Sequence, residues 1–409
     1  MATLRIRLSL LLTYFVFAIL LNSVGTVILQ VIHTYQITKA AASVLEGFKD
    51  IPIAVVSFII ASYLPRLGYK AALQIALLLV TLACIMMPLI PAFWTTKLLF
   101  FAVGASFALV KVSVYASIGV VTETKAEHAS LLNFIEGGFM LGVLSGYWLF
   151  SAFMDPAAPE SSGWLQVYWL LALLCAANLA LLSSTPFPKL VLPPTQPLRQ
   201  DFIAMLQLVY KPLVFVFVLS AFLYVLIEQG IGSWLPTFNN EVLQLPNQLS
   251  VQLTSIFAAS LALGRILAGV VLKKLSWYLL LNSCLIAMAL LILLTLPLTR
   301  DIEVDADVSL FTAPLAAYLF PLIGLFMAPI YPVINSVVLS ALPKIQHAPM
   351  TGLIVVFSAL GGTTGSMVTG YTFANFDGQT AFYLSLLPLS LLLLSIGLFH
   401  RQSQQRVNS

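Results

Sequence analysis

SSTPFPKLVLPPTQPLRQDFIAMLQLVYK, Ser183 to Lys211, is the one long interruption in a chain otherwise made of apolar runs. It is rich in proline and basic residues, and its DFIAMLQLVY portion has the make-up of a short amphipathic helix lying along a membrane surface. Counting outward from it, six apolar runs precede and six follow, each of roughly 18–25 residues, the length that crosses a bilayer core. The first six are Leu8 to Ile32, Ala41 to Leu64, Ala71 to Pro91, Thr96 to Val121, Ala129 to Phe153 and Trp164 to Leu182. The second six are Pro212 to Pro236, Ser250 to Leu272, Trp277 to Leu296, Phe311 to Ser340, His347 to Phe373 and Gly378 to His400. The expected architecture is an all-α membrane protein of twelve transmembrane helices in two six-helix pseudo-symmetric bundles. The bundles cover 1–183 and 212–409, the second with a short cytoplasmic tail, and 184–211 is a cytoplasmic linker.

Composition points the same way. Of 409 residues, 60% are hydrophobic and 8% charged, against about 25% charged in a soluble chain. So few charges cannot cover a globular surface, so the solvent is mostly lipid. The net charge of +4 is spread among short loops and forms no nucleic-acid footprint. Cys84, Cys175 and Cys284 each lie inside an apolar run, which implies no disulfide framework. The first run is too long for a signal-peptide core and no small-residue cleavage site follows it.

The basic residues also orient the chain. With the N-terminus inside, the cytoplasmic ends hold most of the 19 lysines and arginines, among them Arg5, Arg7, Arg66, Lys70, Lys125, Lys189, Arg199, Lys211, Lys273, Lys274, Lys344, Arg401 and Arg406. The opposite ends hold Lys39, Lys97 and Arg300, beside the acidic RDIEVDADVS of Arg300 to Ser309. This is the positive-inside asymmetry, and it puts both termini in the cytoplasm of a bacterial inner-membrane protein.

The halves echo each other. Glycines recur at helical spacing in the fifth span (Gly138, Gly142, Gly146) and in the eleventh (Gly361, Gly365), where small residues let helix backbones approach. Two such repeats around a central path form a transporter architecture. Pro329 and Pro332 should bend or break the tenth span.

SYLPRLGYK, after the second span, resembles the loop between spans two and three of the major facilitator superfamily, usually written G-x-L-a-D-R-x-G-R-K. Arg66, Gly68 and Lys70 match, while Pro65 stands in place of the aspartate and Ala61 in place of the first glycine. Four segments resemble the fucose–galactose–glucose:proton symporters more closely. They are YVLIEQGIGSWLPTF (224–238), GLFMAPIYPVINSVVLSAL (324–342), ASLLNFIEGGFMLGVLSG (129–146) and TGLIVVFSALGGTTGSMVTGY (351–371). The Tyr224-x-x-x-Glu228 and Gly232-Ser233-Trp234-Leu235 elements are the most specific. The resemblance implies the major facilitator fold, with spans one, four, seven and ten lining a cavity, and proton-driven solute transport. Where that family has membrane carboxylates, on spans one and four, this chain offers Asn22, Ser23 and Gln30, and Lys111.

The charges inside the apolar runs set the functional expectations. Glu228, in span seven, should face water and not lipid, because an ionisable residue at the bilayer centre costs roughly 2.5–3.5 kcal/mol. Two readings stand for it: a proton-coupling or substrate-binding acid, or a structural ion pair. Lys111 attracts an anionic solute or pairs with Glu228. Asn22, Gln30 and Asn335 supply further polar groups for a substrate, and Tyr115, Tyr224, Trp234 and Tyr331 either stack on it or fill space. Glu46, Lys49 and Asp50 share a face of span two and form either a snorkelling rim network or an outer gate or proton entry, with Glu46 and Asp50 as coupling acids. Arg265 of span eight is expected to pair with Glu136 of span five in a structural or gating role.

Several chemistries are missing. There is no phosphate-binding G-x-x-x-x-G-K-[ST], no H-E-x-x-H and no G-x-S-x-G, so neither ATP-driven work nor an enzyme is indicated. The histidines His33, His128, His347 and His400 lie at span ends without metal spacing, and no cofactor is expected. The partners expected are protons, a small solute and lipid, with the chain working as a monomer. The leading reading is a proton-coupled importer of a small polar solute, sugar-like or acidic, working by alternating access. The alternative is a proton-driven efflux antiporter for amphiphilic compounds.

Overall fold

The computed structural model describes residues 2–122, 124–187, 198–300, 302, 308–340, 342–343 and 346–407, with the backbone alone at 2, 61–63, 65–66, 120, 125, 198–202, 204, 348 and 402–407. The Arg66 and Lys125 side chains, Lys189, Lys344, linker residues 188–197 and most of the acidic outer loop lie outside the described residues. The first helices are α1 (Ala2–Asn22), α2 (Val24–Tyr35), α3 (Lys39–Ala42), α4 (Val44–Leu67), α5 (Tyr69–Leu89) and α6 (Phe93–Val121). Next come α7 (Lys125–Ser151), α8 (Val167–Ser183), α9 (Leu198–Val209), α10 (Pro212–Gly232), α11 (Leu235–Glu241), α12 (Asn247–Val271) and α13 (Trp277–Thr295). The chain ends with α14 (Ala316–Leu319), α15 (Ile323–Met327), α16 (Ile330–Ser340), α17 (His347–Asn375), α18 (Gly378–Leu384) and α19 (Leu386–Val407). No strand occurs among the described residues. In hydrocarbon a helix satisfies its own backbone groups, so the apolar runs leave no other choice.

Among the described residues, eleven helical segments are long and apolar enough to cross a membrane. The expected second span is not among them, although α4 runs 24 residues; it carries Glu46, Lys49 and Asp50, and part of it is described by backbone alone. The helices form two compact units, one of residues 1–24 and 48–200, the other of residues 25–47 and 201–409.

Both units use the same internal packing. In the first, α1 packs on α6, α7 and α8, and α5 on α6 and α8. In the second, α10 packs on α16, α17 and α19, and α13 on α15, α16 and α19. Renumbered by span, one-four, one-five, one-six, three-four and three-six become seven-ten, seven-eleven, seven-twelve, nine-ten and nine-twelve. The glycine stripes are the seams of the one-five and seven-eleven pairs. A side-chain carbon on Gly142 would lie 2.6 Å from the Phe15 carbonyl oxygen, and one on Gly361 or Gly365 would strike the carbonyls of Phe222 or Leu226. Backbones this close gain dispersion contacts that larger residues would forbid.

Spans one, seven and ten are each broken. The first stops at Ser23, whose hydroxyl donates to the Leu20 carbonyl at 2.8 Å. The seventh breaks at Ser233–Trp234, between α10 and α11, where Pro236 has no N–H to continue the helix. The tenth breaks at Ala328–Pro329, as its prolines lead one to expect. In the linker, the amphipathic stretch is α9, whose Met205 sulfur abuts the Gly352 backbone of α17. Cys84, Cys175 and Cys284 are free and buried.

Candidate functional site

Each unit carries its own cluster of ionisable and aromatic side chains inside membrane-length helices. In the first unit, Lys111 and Tyr115 lie one turn apart on α6, and the Tyr115 hydroxyl donates to Glu136 Oε1 of α7 at 2.5 Å. Lys111 lies within electrostatic range of the same carboxylate. Tyr14 of α1, buried, presents its ring edge to Tyr115 with centroids 6.1 Å apart and to Phe139 at 5.6 Å. Phe107 closes the aromatic wall, 6.2 Å from both Tyr14 and Phe139. Lys111 and Tyr115 are exposed residues and Glu136 is half-buried, so the cluster is accessible along its α6 side.

In the second unit, Tyr224 and Glu228 occupy successive turns of α10, and the Tyr224 hydroxyl donates to Glu228 Oε1 at 3.0 Å. The Tyr224 ring stacks on Tyr331 of α16 with centroids 5.5 Å apart and planes 25° from parallel. The Tyr331 hydroxyl is 2.9 Å from that of Ser358 on α17 and also meets the Asn335 side chain. Arg265 of α12 is exposed, and its charge and that of Glu228 both act on the Tyr224 hydroxyl. Asn335 Oδ1 is buried with no hydrogen-bond partner among the described residues. A buried acceptor left without a donor costs about 1–3 kcal/mol, so this oxygen is placed to receive one.

Within the first unit Glu136 has Lys111 and Tyr115 around it, and within the second Glu228 and Arg265 both act on Tyr224, so each unit gathers one acid, one base and two tyrosines of its own. Side-chain azimuth decides this: Lys111, Tyr115 and Glu136 face one another across the α6–α7 contact. Trp234 and Gln30 also differ from a solute-facing role. Trp234 is wholly enclosed, stacks on Phe373 at 5.3 Å and already gives its indole N–H to Ser366 Oγ at 3.1 Å. Gln30 is 2% exposed. Asn22 is exposed but turns its amide back to the Ala18 carbonyl at 2.8 Å.

On α4, Lys49 Nζ lies 3.5 Å from Asp50 Oδ1. Glu46 is fully buried and accepts a hydrogen bond from Ser233 Oγ at 2.8 Å. Sequence reasoning missed Tyr14, Ser358 and Ser233. Tyr14 had a signal available, since Tyr14, Ala18 and Asn22 fall at i, i+4 and i+8 on one face of span one. Among the described residues no group of His, Cys, Asp and Glu is placed to hold a metal ion.

The sequence profile of the Major Facilitator Superfamily matches residues 10–362. No curated protein sequence matches the chain. Among solved structures, a bacterial homolog of the human lysosomal transporter Spinster, inward-facing and occupied, superposes with a TM-score of 0.77 at 15% identity, covering 97% of this chain and 96% of that one. The nucleoside transporter NupG gives 0.74 at 14% identity, covering 98% and 99%. A point mutant of the E. coli fucose:proton symporter FucP gives 0.60 at 16% identity, covering 98% and 99%. At such identities the likeness speaks for the fold alone.

Proposed function

The chain belongs to the major facilitator superfamily and is a multi-pass membrane transporter, and from that premise we propose that it imports a small polar solute, sugar-like or acidic, together with protons. The observation that carries this reading is the α10–α16 cluster: an acid, a stacked tyrosine pair and an unsatisfied Asn335 acceptor inside membrane-length helices. Glu228 takes the proton or touches the solute, Tyr224 and Tyr331 offer a ring face, and Asn335 Oδ1 accepts from a hydroxyl or amine. Lys111, beside Tyr115 and Glu136, meets an anionic group. The finer kinship, to the fucose–galactose–glucose:proton symporters, rests on the Tyr224-x-x-x-Glu228 and Gly232-Ser233-Trp234-Leu235 elements. On this reading the protein is a monomer in the bacterial cytoplasmic membrane, with both termini inside, working by alternating access.

A second reading, proton-driven export of amphiphilic compounds, is favoured by the wall of Tyr14, Phe107 and Phe139, whose apolar faces suit a hydrophobic body. Flux in proteoliposomes under an imposed pH gradient separates the two. The importer accumulates solute on the side toward which protons flow, and flow against the protons marks the exporter. The solute itself comes from a thermal-shift screen of the purified protein against sugars, sugar acids and organic acids, because a ligand that binds the folded state raises its melting temperature. No stabilising compound in those classes would remove the solute assignment.

A charge-assisted hydrogen bond is worth about 1.5–3 kcal/mol. Lys111→Ala is therefore expected to weaken binding of acidic ligands by roughly tenfold to a hundredfold while leaving neutral ones near wild type. Equal losses for both classes in a titration would take anion recognition away from Lys111.

A further inference from the structure

The second unit includes a segment from early in the chain, residues 25–47, which holds α2, α3 and the first turn of α4. It is fastened to α10, α11 and α17 at three levels. At the rim, His33 meets Asn240 at 3.0 Å and Lys39 Nζ meets Glu241 Oε2 at 2.6 Å. Deeper, Ser366 of α17 donates to the Ser43 carbonyl at 3.2 Å. Deeper still, Gly25 of α2 lies against the break in span seven, where a side-chain carbon on it would stand 2.7 Å from the Ser233 carbonyl oxygen.

At that innermost level the Ser233 hydroxyl has one hydrogen and two acceptors, Glu46 at 2.8 Å and Gln229 Oε1 at 3.2 Å. A hydroxyl can donate once, so the charge on Glu46 decides which bond is made. With Glu46 ionised, Ser233 donates to it. With Glu46 protonated, the acid can donate to Ser233 Oγ, and the serine hydrogen is free to turn to Gln229, next to Glu228.

We infer that Glu46 is a second proton-carrying group, distinct from Glu228, and that the Glu46–Ser233–Gln229 relay makes closure of residues 25–47 onto spans seven and eleven depend on proton occupancy. The inference rests on the transport reading, for which it supplies the step linking outer closure to span seven. The Glu46–Ser233 contact is made by the docked segment, and the proton on Glu46 sets which of the two groups donates in it, so docking and protonation are linked. The other charged or titratable groups around it are His33, Lys39 and Glu241 at the rim, Lys49 and Asp50 further along α4, and Glu228 beyond Gln229.

Gln36 and Gln244 are exposed, stand after α2 and α11, and hold left-handed backbones with φ of 51° and 53°. Spin labels on Gln36→Cys and Gln244→Cys therefore report docking without solute or flux. Between about pH 5.5 and about pH 8 the ratio of short to long distances is expected to change several-fold in the otherwise wild-type chain. Glu46→Gln should abolish that change, Ser233→Ala should reduce it, and His33→Gln and Glu228→Gln should keep it. No pH response in the parent, a full response in Glu46→Gln, or loss in His33→Gln overturns the role of Glu46. A full response in Ser233→Ala overturns the relay. Because Glu228→Gln is scored here for docking alone, failure of the transport reading would leave these outcomes unchanged.

Discussion

Glu228→Gln, reconstituted in proteoliposomes, is expected to exchange solute across the membrane yet fail to accumulate it when a pH gradient is imposed. The amide keeps the shape of the acid and can still meet the Tyr224 hydroxyl, now 3.0 Å from Oε1, so the stacked pair with Tyr331 should persist. What it loses is the ability to carry a proton. With one proton per solute, a gradient of two pH units supports about hundredfold accumulation, each factor of ten corresponding to about 1.4 kcal/mol. The variant should fall to a ratio near one while counterflow of labelled solute continues. Uphill accumulation at the wild-type level would remove Glu228 from coupling, and loss of exchange as well would make it a solute contact before a proton carrier.

Gly365→Val is expected to be the most damaging single substitution in the second unit. Its side chain would enter the carbonyl of Leu226, where α17 and α10 cross backbone to backbone. Overpacking a dense site costs about 1–3 kcal/mol when side chains can shift, and here the obstacle is main chain, which cannot. The variant should lose most of its monodisperse protein in gel filtration and melt well below the parent. Gly269→Val is the control: apart from its own helix backbone and chain neighbours, nothing lies within 4 Å of the position its new carbon would take, and valine has a slightly better helix propensity than glycine. Equal melting of the two variants would mean that α10 and α17 do not approach as described.

The apolar runs and the paired glycine stripes announced the fold because a bilayer allows few structures and small residues mark the seams. Pro329 likewise foretold the break in span ten. The breaks in spans one and seven were less legible. Ser23 and Gly25 sit in an unbroken apolar run, and Pro236 reads equally well as the end of a helix. The clusters were legible as residue types but not as partners. Glu136, Lys111, Glu228 and Arg265 each stood out as a charge in a greasy segment, yet which acid meets which base depends on the rotation of each helix about its axis. Glu46 shows the same limit. Its spacing to Lys49 and Asp50 is local and readable, whereas its contact with Ser233 spans 187 positions of chain.

The buried cysteines have a practical consequence. Cys84 and Cys175 lie on α5 and α8, and Cys284 lies on α13, so each unit has its own latent sulfhydryl. A maleimide dye arriving from water does not reach these buried thiols while the helices stay packed. Fluorescence gained on warming therefore records a unit coming apart, and removing either the first two sulfur atoms or the third tells which one loosened.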